Sequence, residues 1–183
     1  MHRIEFTSLL FVAAFGLGAC GKVQDKVGEK MAEKAIESSL SKDGTQAQVK
    51  MSEGAMKITT TDATGKTQQV EMGNARVSEA DLGLPFYPGS KPTEGSGMRV
   101  ASNESTVVSL GLHSDDAADK VAGFYRDKLK AMAEGKQMVD MSSSEGASLS
   151  LIDEKTKGAI QVHVTKAEKG SDIMVSSTRS AAK

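Results

Sequence analysis

Cys20 carries the only thiol in the 183-residue chain. With no second cysteine there is no internal disulfide, no cysteine cluster for a metal and no redox pair. General-base chemistry falls to the histidines, His2, His113 and His163. A hydrolase triad needs a nucleophile, a base and an orienting group. His113 stands at the end of an expected strand, and His163 lies between Val162 and Val164 and so faces opposite to both, toward solvent. Either could serve one of the many serines, but none of these sits in a G-x-S-x-G elbow. The reading is therefore non-enzymatic, with no catalytic residue assigned. The ten methionines offer soft thioether ligands. They are scattered, at Met31, Met51, Met56, Met72, Met98, Met132, Met138, Met141 and Met174 besides Met1, with no M-x-x-M cluster. Most stand where alternation calls for a core residue, so they read as gap-fillers. Asp115-Asp116 and Asp153-Glu154 lack a Ca²⁺-loop spacing and read as a helix start and a turn. Gly95-Ser96-Gly97 has no Walker chemistry around it and reads as linker. No metal and no dissociable cofactor is expected.

The setting of Cys20 is more informative than the thiol alone. His2 and Arg3 open the chain, with Glu5 an acidic intruder, and an apolar run from Leu9 to Leu17 follows. That is the layout of a secretory signal. The run is about half the roughly 20 apolar residues that a transmembrane helix needs. It ends in Leu17-Gly18-Ala19-Cys20, an aliphatic residue, two small ones and a cysteine. This tetrapeptide resembles the lipobox of bacterial lipoproteins. The resemblance implies diacylglyceryl transfer to the Cys20 sulfur and cleavage between Ala19 and Cys20, leaving a covalent lipid as the only prosthetic group. The alternative is an ordinary signal cut after Ala19, with Cys20 incidental. Each buried methylene contributes about 0.8 kcal/mol and a single chain binds only reversibly. The two or three chains of a mature bacterial lipoprotein would anchor it almost permanently. Gly21 stands where an Asp commonly retains such proteins at the inner membrane, so the resemblance implies an outer-membrane location facing the periplasm. The implied partners are the membrane, the lipoprotein processing and sorting machinery, and an envelope protein.

Residues 20–183 have the size of one domain or two small ones. A formal net charge of −1 leaves no electrostatic footprint for nucleic acid. Aromatics in the mature chain are confined to Phe86, Tyr87, Phe124 and Tyr125, a thin supply for a large ligand pocket.

The elements that would position these residues follow from periodicity. Over 22–42, Val23, Val27, Met31 and Ala35 recur every four residues beside Ile36 and Leu40, which predicts a charged helix. It serves equally as a stalk or partner-binding helix, or as a helix packed on its own domain or a tether. Over 45–72, Val49 and Met51, then Met56, Ile58 and Thr60, then Val70 and Met72 alternate with polar residues and predict a β-meander. A connector over 73–97 holds all three prolines, Pro85, Pro88 and Pro92. It should be an ordered crossing that turns at Pro88-Gly89 and then loosens to Gly97. Strands are expected near 98–101 and 106–113, then a helix capped by Ser114 that runs to Met132 and stops at Gly135. Strands near 137–142, 147–152, 159–165 and 172–177 complete the pattern. The fold class is α+β: a small antiparallel sheet with one covering helix, ββαβββ-like, preceded by the meander and the charged helix. The chain thus divides into a signal over 1–19, a lipidated N-terminus and helical stalk over 20–44, the meander over 45–72, the connector over 73–97, an α+β domain over 98–178 and a frayed tail over 179–183. Phe86 or Tyr87 should meet Phe124 or Tyr125 and fasten connector to domain.

Leu84-Pro85-Phe86-Tyr87-Pro88-Gly89-Ser90, together with Ser114-Asp115 through Val121 to Phe124-Tyr125-Arg126-Asp127-Lys128-Leu129, resembles the C-terminal domains of uncharacterised proteobacterial lipoproteins. The resemblance implies a fold relationship and brings no catalytic residues. The expected function is that of a membrane-anchored periplasmic accessory or interaction domain of the envelope. The alternative is a periplasmic lipoprotein that binds a small ligand or a metal.

Overall fold

The computed structural model describes residues 25–42, 44–52 and 54–181. Leu17, Gly18, Ala19 and Cys20, and with them the expected cut and the expected lipidation site, lie outside the described residues. The chain runs α1 (Asp25–Leu40), β1 (Gln46–Ser52), β2 (Ala55–Thr61), β3 (Thr67–Asn74), α2 (Glu79–Leu82), β4 (Lys91–Pro92), β5 (Ser96–Ser102), β6 (Ser105–Ser114), α3 (Ala118–Ala131), β7 (Gln137–Ser143), β8 (Gly146–Asp153), β9 (Gly158–Lys166) and β10 (Ser171–Ser180). The strands form one antiparallel sheet in the order β1-β2-β3-β5-β6-β10-β9-β8-β7, with β4 pairing β6 beyond the end of β5. Hairpins join β1 to β2 to β3, β5 to β6, and β7 through β10; α2 and β4 intervene between β3 and β5, and one longer move remains. After β6 the chain crosses the sheet as α3, starts again at the far edge as β7, and meanders back until β10 closes on β6.

The core lies between α3 and the β6–β10 half of the sheet. Leu112, Ile173, Val164 and Ala147 are cross-strand neighbours, as are Leu110, Val175, Val162 and Leu149 in the next row. Onto them α3 lowers Val121, Ala122, Tyr125 and Leu129, spaced so that one helical face is apolar. The connector adds Leu82, Leu84 and Tyr87, all buried in the same cluster. Each fully buried Leu, Ile or Val contributes about 1.5–3 kcal/mol relative to exposure.

Beyond β6 the sheet exchanges its faces. One row runs Met138–Leu151–Ile160–Ser177–Val108 on the core side and continues as Arg99–Glu71–Lys57–Lys50. Apolar becomes charged at β5, and the charges pair: Lys57 with Glu71 at 2.9 Å, and Arg99 with Asp81 of α2 at 2.7 Å. On the other face the change runs in reverse. Val139, Ser150, Gln161, Ser176 and Ser109 lead into Met98, Met72, Met56 and Met51.

The chain is sheet-dominated and antiparallel, as read, but the small ββαβββ unit is not what forms. Hydrogen bonding continues from β6 through β5 into β3, so the meander joins one ten-stranded sheet, while the four strands expected after the helix are all present as β7 to β10. Ser114 does not cap α3. It is the last residue of β6, paired with Ser171, and its hydroxyl accepts from the Asp116 N–H at 3.1 Å. The helix starts four residues later from Ala117, without a side-chain cap, and ends at Met132; Gly135 belongs to the turn beyond. The stretch before Gly97 is held rather than loose, because β4 pairs β6 and Thr93 N–H donates to the Gly111 carbonyl at 2.9 Å. Arg179 and Ser180, expected in a frayed tail, are instead the end of β10, opposite Thr106 and Ser105. Arg179 also donates to the Ala80 carbonyl at 2.7 Å.

Candidate interaction surface

The histidines occupy separate places. His113 Nδ1 lies 2.8 Å from Asp172 Oδ1 across the β6–β10 pair, on the surface. This pairs an imidazole with an orienting carboxylate, but among the described residues no serine hydroxyl hydrogen-bonds to the ring. His163 is exposed on β9, opposite Ser148 and Met174, and bonds to neither. Among the described residues, no three His, Cys, Asp or Glu side chains converge in a way that could hold a metal ion.

The polar side chains around α3 are committed to structure. Tyr87 meets Phe124 edge-on with centroids 5.3 Å apart, and Phe124 meets Tyr125 likewise at 5.1 Å. The two Phe-Tyr segments thus fasten connector to helix as the sequence predicts. The Tyr87 hydroxyl donates to Asp116 at 2.7 Å, and Lys120 donates to both oxygens of that carboxylate. Those donors hold Asp116 below the usual carboxylate range, while the carboxylate raises Tyr87. Arg126 reaches from α3 to Asp140 at 2.6 Å and to Ser142 at 2.8 Å. It keeps the Asp140 carboxyl low, and Asp140 raises the guanidinium in turn.

A cleft of about 630 Å³ opens where the start of α3 passes the β7–β8 turn. Its charged walls mix Asp115, Asp119 and Glu168 with Arg126 and Lys166. Arg126 is already paired within the fold, and the remaining charges share no sign, so the cleft has no convergent charge to select an ion.

The other half of the sheet differs. Its outer face carries the row Val49–Ile58–Val70–Val100–Val107 beside the row Met51–Met56–Met72–Met98. Val49 is buried and the other eight are half-buried, apart from the main core. Helix α1 lies along the free edge of β1. The outward N–H groups of Ala47, Val49 and Met51 donate to Ser41 Oγ at 3.1 Å, Glu37 Oε1 at 2.8 Å and Glu33 Oε1 at 2.6 Å. Residues four apart on a helix climb about 6 Å, and residues two apart on a strand advance about 6.6 Å. The two spacings nearly match, so one helical face satisfies a strand edge. An uncovered edge is a template for pairing with another chain. The sequence reading missed this cap. Its signal was present as Glu33, Glu37 and Ser41 at a four-residue period. Among the described residues no helix is long and apolar enough to cross a membrane. No family model, curated protein or solved structure matches the chain.

Proposed function

We propose that the chain is a bacterial lipoprotein that is cut before Cys20, lipidated there, and held on the outer membrane facing the periplasm, where it works by contact with an envelope protein rather than by catalysis. The observation that carries this reading is Leu17-Gly18-Ala19-Cys20 at the end of a short apolar run. The C-terminal resemblance to proteobacterial lipoproteins points the same way, and Gly21 supports the outer-membrane assignment. The architecture is compatible with the reading. Helix α1 begins at Asp25, five residues after Cys20. Five residues span at most about 18 Å. An anchor at Cys20 would therefore keep α1, and the sheet edge it covers, close to the bilayer surface.

Intact mass spectrometry of the membrane-extracted protein tests the anchor. A chain starting at Cys20 and carrying acyl mass supports it. A chain starting at Cys20 with a free thiol, or one still carrying residues 1–19, removes it. Cross-linking in intact envelopes then tests whether a protein partner sits on the β1–β5 half of the sheet.

A further inference from the structure

We infer that Met56 and Met72, with Met51 or Met98 as a further ligand, form a binding site for a soft monovalent cation of the Cu(I) or Ag(I) class on the outer face of the β1–β5 half-sheet. This inference is independent of the lipid anchor.

These methionines are far apart in sequence, yet the register makes them consecutive. Met51 pairs with Met56, Met56 with Met72, and Met72 with Met98. Directly paired residues share a sheet face, with Cβ atoms about 5 Å apart. Each thioether sulfur stands two bonds beyond Cβ on freely rotating torsions. Adjacent sulfurs can therefore approach to roughly 4 Å, the separation they need to share one ion at about 2.3 Å each. Thioether sulfur is a soft ligand and selects soft ions over Zn(II), Mg(II) or Ca(II).

The four row methionines lie outside the main core. The core cluster is built from Val, Leu, Ile, Ala and aromatic side chains, and the methionines at its margin are Met132 and Met138. None of the four row methionines belongs to it. The neighbouring row on the same face, Val49–Ile58–Val70–Val100–Val107, is entirely β-branched, as strand propensity favours. Apolar cover alone would be met by the same residues in both rows. Every thioether in this half-sheet falls into one row, half-buried yet open to solvent, which sets soft ligands side by side where an ion can reach them.

The test titrates Ag(I), a redox-inert stand-in for Cu(I), into the full chain in detergent, carrying Cys20→Ser so that no thiol competes. Methionine methyl groups labelled with ¹³C report the site. The methyls of Met56 and Met72, with that of Met51 or Met98, should shift together and saturate, while those of Met31 and Met141 stay still. Met56→Leu/Met72→Leu keeps volume and apolarity, so it should keep the fold and lose at least about tenfold in affinity. Zn(II) should produce no shift. Undiminished Ag(I) binding by a folded double variant, or shifts confined to Met174 beside His163, would overturn the assignment. The methyl shifts of the unsubstituted row decide the matter even if the double variant does not fold.

Discussion

Tyr125 shows how a single hydroxyl can hold a connector to a core. The side chain is fully buried, and its oxygen accepts from the Tyr87 backbone N–H at 3.0 Å. That amide belongs to the segment between Pro85 and Pro88, where no regular ladder is present to receive it. Burial pushes the Tyr125 phenol up to about 12. Tyr125→Phe keeps the ring and removes the acceptor, leaving a buried donor without a partner. Such a loss costs about 1–3 kcal/mol, measurable as a lower urea midpoint with an unchanged slope. The pH dependence has a definite sign. The folded phenol titrates above the unfolded one, so the unfolded chain gives up its proton first as pH rises. The contribution is fully present below about pH 10 and is lost between there and about pH 12. Stability measured across that window should fall more steeply in the native chain than in Tyr125→Phe. An equal slope in both would show that the phenol titrates alike in the folded and unfolded states.

Helix α1 and strand β1 act as one element with two kinds of backbone. Glu33, Glu37 and Ser41 take up the N–H groups that β1 turns outward, in place of a further strand. Glu33→Ala/Glu37→Ala should free two of the three. Two consequences follow together: faster hydrogen exchange at the Val49 and Met51 amides, and concentration-dependent dimers in sedimentation as open edges pair. Protected amides and a monomer at high concentration would mean that apolar contact at Val49, not the carboxylates, holds α1 in place. The existence of these elements was legible in the sequence, because alternation and four-residue periodicity are local. The point at which α3 begins was not. Ser114 has every local mark of a cap, but ten residues of pairing with β10 carry β6 through it, and the ladder outcompetes the cap. The methionine row was hidden for a related reason. Register is a property of strand pairs, so residues as far apart as Met72 and Met98 become neighbours only once the pairing is known.

At the scale of the molecule, the exchange of faces between β5 and β6 sets what each half of the sheet can do. The alternation along each strand was visible in the sequence, but alternation does not say toward which side the apolar set points. That depends on what covers each half, α3 on one face and α1 at the far edge on the other. The two halves should therefore answer differently to the same kind of substitution. Leu149 lies beneath α3 with no exposure, among Val162, Val175 and Leu110. Truncation to Ala leaves a cavity that α3 and the sheet cannot both close, and the cost should be about 2–5 kcal/mol. Ile58, at the centre of the half-buried outer face, loses only part of its contact area when cut to Ala and leaves a notch that water can enter. Its cost should be about 1 kcal/mol. Urea unfolding of the two variants measures the difference directly. Equal losses would mean that something covers the outer face as completely as α3 covers the inner one. The free surface assigned to the Met51–Met98 row would then be a second core.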